Sequence, residues 1–354
     1  MKRVIAFCLC VVLALSCTAC HKAPEKTKYS AYYFDYFDTA TTIIGYTESK
    51  EAFDATCAEI VALLEEYHRL YTIYNRFEGL TNLVTVNDLS DGAHKAVTVD
   101  RKILDMLRFA KEMHQKTDGY VNVAMGSVLK IWHNYRNAGI DDPSTAVLPP
   151  MDKLTAAAEH TDINDLILDE QAGTVYLADP QMLLDVGAIA KGYAVEAVAR
   201  YLEDKGVTGY LLNVGGNVRT LGMAGDEDKP WNVGIENPDR EDTDKPYIEY
   251  LHLSGQSLVT SGSYQRYYEV DGIRYHHIID PDTLMPGTNY RSVSVLTGDS
   301  GLADAFSTAL FLMPYEQGKA LVESTQGVEA MWVMPDGEQR YSAGFKAYTY
   351  VPEN

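Results

Sequence analysis

Apolar positions recur at helical spacing in two long stretches of this chain. From 51 to 71, Phe53, Cys57, Ile60, Val61 and Leu64 share one face. From 101 to 116, Ile103, Leu104, Leu107, Ala110 and Met113 do the same. Both patterns predict amphipathic helices. Two further helices are predicted over Gly192–Lys205 and Leu302–Met313, the second apolar almost all round. Elsewhere the period shortens to that of strands. Such runs lie at Phe34–Tyr46, Tyr210–Val214, Trp231–Glu236, Tyr247–Leu253, Gln256–Thr260, Arg291–Leu296 and Gln339–Tyr350, with a hairpin over Leu166–Leu177. Strands grouped in runs, with helices between the groups, predict an α+β fold rather than a regularly alternating parallel sheet. From Tyr32 onward no repeat or low-complexity tract interrupts the pattern, and a single compact domain with mixed or antiparallel sheets and flanking helices is expected over 31–354.

The first thirty residues follow another pattern. Lys2 and Arg3 precede an apolar run, Val4–Leu15, too short for a mature membrane-spanning helix. It closes on Ser16-Cys17-Thr18-Ala19-Cys20. Residues 1–20 therefore resemble a bacterial lipoprotein signal with Cys20 as the lipidated residue, Cys17 being the alternative site and an ordinary secretory signal the alternative reading. Residues 21–30 read as a flexible tether. The expected location is the extracytoplasmic face of a bacterial membrane, with the chain lipid-anchored. Of five cysteines only Cys57 then remains as a thiol, so no internal disulfide is expected.

The formal charge is −20, and loss of Lys2 and Arg3 (two positive charges) takes −20 to −22. That balance argues against nonspecific binding to nucleic acid or anionic lipid. An anionic substrate needs a local device instead, such as a metal ion or a helix N-terminus.

Five stretches supply candidates. Asp185-Val186-Gly187-Ala188-Ile189-Ala190-Lys191-Gly192 breaks at glycine and opens a helix through a lysine, an arrangement suited to phosphate. Asn213-Val214-Gly215-Gly216-Asn217 lets a backbone approach a ligand, or is a tight turn. Thr260-Ser261-Gly262 offers hydroxyls and N–H groups to an anion, or is a polar turn. His276-His277-Ile278-Ile279-Asp280-Pro281 sets an imidazole and a carboxylate near one sheet end; alternation favours His277 over His276. Asp304 and Thr308 lie one helical turn apart, a hard-oxygen pair suited to Mg²⁺, or Asp304 is a helix cap.

In order and spacing these stretches resemble the FAD:protein FMN transferase (ApbE-like) family over most of Tyr32–Tyr350. Phe37-Asp38-Thr39, Tyr74-Asn75-Arg76 with Asn87, and Thr117-Asp118-Gly119-Tyr120 leading to Trp132 add to the match. The resemblance implies a T-fold-related architecture and Mg²⁺-dependent transfer of FMN from FAD to a threonine or serine of a target protein, with release of AMP. Asp304, Thr308 and the Ala188 carbonyl would hold the metal. Lys191 and Thr260–Gly262 would steady the phosphates, and Asp185, Asn213, Gly215, Gly216 and Thr39 would complete the FAD site. Phe37 and Tyr74 would pack on the flavin, or are ordinary core aromatics. His277, with Lys191 and Asp280, is the catalytic candidate. The implied acceptor carries an Asp/Ser-Gly-Ala-Thr/Ser site and belongs to a membrane redox complex. The family's usual Met-Gly-Thr and Gly-Gly are Phe37-Asp38-Thr39 and Gly187-Ala188 here. Two alternatives stay open: Mg²⁺-dependent cleavage of FAD to FMN and AMP, and a non-catalytic flavin-binding lipoprotein.

Overall fold

A computed structural model describes residues 25–90, 95–225 and 229–352. The signal and Cys20 lie outside the described residues. In chain order the first elements are β1 (Thr27–Tyr36), β2 (Thr39–Thr47), α1 (Lys50–Tyr71), α2 (Leu83–Ser90), β3 (Val97–Thr98), α3 (Arg101–Lys116), α4 (Gly126–Asp141) and α5 (Met151–Ala158). Next come β4 (Leu166–Asp169), β5 (Thr174–Leu177), α6 (Ala190–Asp204), β6 (Tyr210–Val214), β7 (Asn217–Leu221), β8 (Trp231–Glu236), β9 (Tyr247–Leu253) and β10 (Ser257–Gly262). The chain continues through β11 (Tyr267–Val270), β12 (Ile273–His276), β13 (Ser292–Thr297), α7 (Ser300–Leu312), α8 (Tyr315–Ser324), β14 (Glu329–Val333) and β15 (Gln339–Tyr341).

Eight strands form one antiparallel sheet in the order β1-β2-β6-β7-β10-β13-β14-β15. Successive side chains leave a strand on opposite faces, so the central strands serve two cores. On one face Ile43, Leu212, Val214, Val259, Val293 and Val295 pack with Phe53, Ile60 and Leu64 of α1, Val195 and Val198 of α6, and Phe306 and Leu310 of α7. On the other, Leu211, Val218, Leu258 and Leu296 lie under the β8–β9 hairpin through Trp231, Val233 and Leu251. A third cluster joins Val128 and Trp132 of α4 to Leu154, Tyr268, Ile279 and Leu284, and the Trp132 indole donates to the Leu284 carbonyl at 2.9 Å. The architecture is α+β, as the periodicity predicts. Cys57 is buried on the inner face of α1, and burial pushes its thiol up to about 11.

Several boundaries differ from expectation. The strand expected over Phe34–Tyr46 is two strands joined at Phe37 and Asp38, whose φ values of 53° and 51° are those of a tight hairpin turn. Because β1 starts at Thr27, the end of the expected tether is strand. The apolar run Met182–Val186, which reads as a strand leading into the glycine break, forms no ladder and touches Met125 through one parallel bridge at Leu183. The strand expected over Gln339–Tyr350 stops at Tyr341 and gives way to a short 3₁₀ turn at Phe345–Tyr348. Among the described residues, no helix is long and apolar enough to cross a membrane.

The site depends on how α6 meets α7. A Cβ on Gly192 would run into the Ser300 carbonyl and the Asp304 Cβ, so only glycine permits the approach. One turn further along α6, Glu196 Oε2 accepts the Ser300 N–H at 2.9 Å and also the Arg219 guanidinium at 3.1 Å. Glu196 and Arg219 are both buried, and Arg219 reaches Glu203 as well. Breaking such a pair strands a charge and costs more than the pair contributes. Glu196→Ala is expected to lower stability by about 3 kcal/mol, measured by thermal or urea unfolding. Glu196→Gln, which keeps an acceptor for Ser300, should lose clearly less.

Candidate active site

Met125, the N-cap of α4, with Leu129, His133 and Arg136 on the helix, forms one wall of a cleft; the start of α6, α7, and the ends of β7 and β10 form the others. The cleft has a volume of about 230 Å³. At Tyr74, Asp185, Gly187, Lys191 and Arg266 it joins a second hollow of about 110 Å³ behind Phe37, Asp38, His68 and Tyr71. Together they reach the lower end of the range for small-molecule sites, roughly 300–1,000 Å³.

The first turn of α6 has no side-chain cap of its own. Instead Asp304, from α7, supplies one: its Oδ2 accepts the Gly192 N–H at 2.7 Å. Its Oδ1 lies 4.0 Å from Lys191 Nζ. A carboxylate at a helix N-terminus is favoured by the partial positive charge there. Asp304 is nonetheless almost fully buried, and burial raises its pKa against the opposing pull of Lys191 and the Gly192 N–H. The cap of α7 itself is Asp299, whose Oδ1 accepts Leu302 N–H. Thr308, one turn beyond Asp304, and Ala188, just before α6, line the same cleft. A carboxylate, a hydroxyl and a main-chain carbonyl are hard-oxygen donors of the kind Mg²⁺ takes. Among the described residues no group of three or more His, Cys, Asp or Glu could hold a metal. A cation here would therefore share its shell with substrate oxygens or water.

His277 lines the same cleft. His277 Nδ1 lies 3.3 Å from the Arg266 carbonyl. A carbonyl only accepts, so Nδ1 bears the proton and Nε2 is left unprotonated with its lone pair free. Burial, followed by the nearby Arg266, His276 and Arg136, holds the ring neutral, its pKa down to about 3. His276 has another task. It is buried, with Nε2 bonded to the Gly287 carbonyl at 2.7 Å and Nδ1 accepting the Ile278 N–H at 3.2 Å. Strand β12 ends at His276, so His277 sits just beyond it.

Thr260 and Ser261 line the cleft with their hydroxyls already engaged, Thr260 with Ser294 and Ser261 with Ser307, each at 2.8 Å. Thr39, Gly215 and Gly262 line it too. Gly215, at φ 55°, has no room for a Cβ beside Thr39. Asp185 is buried at the junction of the two hollows; its Oδ1 accepts the Gly187 N–H and its Oδ2 lies 3.9 Å from His133 Nε2.

Four expected positions fall elsewhere. Asp280 is outside the cleft, and its Oδ1 accepts the Asp282 and Thr283 N–H groups, each at 2.9 Å. There the Asp-Pro sequence builds a turn. Asn213 caps the β6–β7 turn by accepting Gly216 N–H at 3.0 Å, and neither residue lines the cleft. Phe37 lines the second hollow, edge-on to His68.

Of the Asn213–Asn217 stretch, Asn217 lines the wall; sequence reasoning missed His133, Arg136 and Arg266 as wall residues. Asn217 is buried with its Oδ1 unpartnered. His133 Nδ1 contacts the Tyr74 hydroxyl at 3.1 Å, and burial lowers its pKa although Asp185 opposes this. The missed signal was the spacing 125, 129, 133, 136, which marks one helical face that ends in a histidine and an arginine.

Residues 37–332 match the model of the ApbE family. The chain belongs to that family. An FAD:protein FMN transferase of Klebsiella pneumoniae (strain 342) is 35% identical over 281 residues, which is 79% of this chain and 82% of that protein. Another, from Treponema pallidum (strain Nichols), is 35% identical over 309 residues, 81% of each chain. Among solved structures, the ApbE protein of Thermotoga maritima superposes with a TM-score of 0.77 at 25% identity, over 92% of this chain and all of that one. The flavin transferase ApbE of Vibrio cholerae gives 0.74 at 25% identity, over 91% and 99%. Like them, this ApbE-family chain is an α+β protein.

The charge on Asp304 has a checkable consequence. Its folded pKa is above the unfolded value of about 3.9, so its contribution to stability is present below that pH and lost as pH rises through the folded pKa. Asp304→Asn should therefore raise the melting temperature of the metal-free protein at pH 7, by roughly 2 °C per kcal/mol relieved. The difference should vanish as the pH falls below about 4.

Proposed function

We propose that this cleft transfers the FMN half of FAD to a threonine or serine hydroxyl of a target protein, in a Mg²⁺-dependent reaction that releases AMP. The chain is an FAD:protein FMN transferase, as its relatives are named. One observation carries the finer reading. The Asp304 carboxylate, the Gly192 N–H and Lys191 meet at the start of α6, in the same cleft as a neutral His277.

The expected chemistry balances simply. The acceptor hydroxyl oxygen attacks the phosphorus that bears the riboflavin, a new P–O bond forms, and the bond from that phosphorus to the AMP phosphate oxygen breaks. AMP leaves with the bridging oxygen. His277, neutral with Nδ1 fixed on the Arg266 carbonyl, accepts the hydroxyl proton at Nε2. Lys191 and the N-terminus of α6 face the diphosphate and stabilise its charge. A cation held by Asp304, Thr308 and the Ala188 carbonyl would neutralise phosphoryl charge, which a chain of net charge −20 disfavours. Gly262 and the bonded hydroxyls of Thr260 and Ser261 shape the wall behind it. Tyr74, at the junction of the hollows, and Phe37, in the second, would border the flavin ring. In the same reading the enzyme works outside the cytoplasm, tethered through lipid on Cys20, and its acceptor is a subunit of a membrane redox complex with an Asp/Ser-Gly-Ala-Thr/Ser site.

The test incubates the protein with FAD, Mg²⁺ and a threonine-bearing acceptor and follows fluorescent protein on a denaturing gel. Labelling should stop when the divalent cation is chelated. Asp304→Ala should remove turnover, and His277→Asn should lower kcat by about 10²–10⁴-fold with FAD affinity little changed. Free FMN and AMP without labelled protein would make the enzyme a pyrophosphatase. FAD binding with neither product, and indifferent to Asp304→Ala, would make it a binding protein.

A further inference from the structure

We propose that Ile140, Val147 and Ile273 form an apolar docking ledge at the mouth of the cleft, on which the folded acceptor protein rests while its hydroxyl-bearing segment enters. The inference rests on the transfer reading above, which brings a protein to this mouth. The ledge begins as a continuation of the cleft wall. Leu129, His133 and Arg136 of α4 line the cavity. Ile140, one turn past Arg136 on the same helix face, lies outside it and is 55% exposed. The β11–β12 hairpin is rooted in the same wall, since Arg266 just before it and His277 just after it line the cleft. Along that hairpin Tyr268 pairs with Tyr275 and Val270 with Ile273, so all four share one face. Tyr268, Val270 and Tyr275 pack into the cluster around Trp132, whereas Ile273 is 58% exposed.

The three segments meet around Tyr268. Its ring leaves no room for a Cβ at Gly139, the neighbour of Ile140. Its hydroxyl donates to the carbonyl of Val147 at 3.2 Å, and the Val147 side chain is 57% exposed. Apolar side chains grouped and exposed beside a cleft mark a contact surface. Charge decides what covers it. Asp141, Asp142 and Asp271, all exposed, flank Ile140 and Ile273 in sequence. A second copy seated here would set one acidic rim against another, each on a chain of net charge −20. A partner whose own apolar patch is edged by lysine or arginine meets no such repulsion. The occupant is therefore the acceptor, held through a surface apart from its modified segment. Binding energy gained on the ledge orients the hydroxyl without touching the reacting groups.

The experiment uses the full chain with FAD, Mg²⁺ and two probes. One is a folded acceptor domain carrying a threonine site, and the other is a short synthetic peptide copying only the segment around that threonine. Ile140→Ser, Val147→Ser and Ile273→Ser should each raise KM for the domain about fivefold to tenfold, as expected for losing one partly buried apolar contact. Ile140→Ser combined with Ile273→Ser should raise it further. KM for the peptide, kcat, FAD affinity and melting temperature should stay as in the parent, because the substituted side chains are exposed. Ile140→Leu should keep most of the domain affinity. Met223→Ser, an exposed position beyond the end of β7 farthest from the cleft, should change nothing. Equal losses on domain and peptide would overturn the proposal, as would variants that leave both unaffected. A parent that is dimeric by light scattering, and that Ile140→Ser makes monomeric, would overturn it by giving the ledge to a second copy. A parent that labels neither probe refutes the transfer reading instead. A photo-crosslinking residue in place of Ile273 then decides this inference: crosslinks to the domain keep it, and their absence removes it.

Discussion

The contact between the Gly192 N–H and Asp304 Oδ2 is the constraint on which the site depends. It joins the start of one helix to the middle of another and places a buried negative charge where the first helix is electropositive. It exists because glycine leaves the helices free to touch, and because Glu196 pins the neighbouring turn to Ser300. A side chain at 192 would separate the helices and carry Asp304 away from Lys191. Packing and electrostatics are the same event here.

Around that contact the cleft separates polar groups into those that hold and those that are held ready. Ser261 and Thr260 are bonded to neighbours across the sheet and on α7, and His276 is locked between a carbonyl and an N–H. Lys191, His277, Arg136 and Arg266 keep functional atoms available to the cavity. The distinction between His276 and His277 shows the rule at its smallest. Adjacent residues differ by one step of alternation; one is a structural strut and the other keeps an unprotonated nitrogen with a free lone pair.

The long amphipathic helices were legible in the sequence because burial against one sheet face imposes the 3.6-residue period over many turns. Most sheet strands were legible because the central strands are covered on both faces, which leaves no exposed position on β10 or β13 and draws apolar or β-branched residues to at least half of each. The short helices α2, α5 and α8 were not, since eight to ten residues carry too few repeats to stand out. Helix α4 was missed because its cleft face is half polar, so His133 and Arg136 interrupt the apolar stripe. The Asp304–Thr308 pair was visible as a one-turn spacing, and its pairing with Lys191 rested on motif order rather than on physics. Asp280 lies outside the cleft because a local turn, invisible to spacing alone, engages its carboxylate with the Asp282 and Thr283 N–H groups. Asn213 followed the same course within the β6–β7 turn.

Cys57 lies deep on the inner face of α1 with its thiol pushed up to about 11. At neutral pH such a sulfur is almost wholly protonated, and a protonated sulfur is a poor nucleophile toward oxidants or disulfides. Among the described residues no second cysteine exists to partner it. The globule's stability is thereby decoupled from the redox state of its surroundings: neither reductant nor mild oxidant has a bond in it to break or make. A cysteine engineered onto its surface would consequently be the one thiol in the globule that a maleimide dye finds readily.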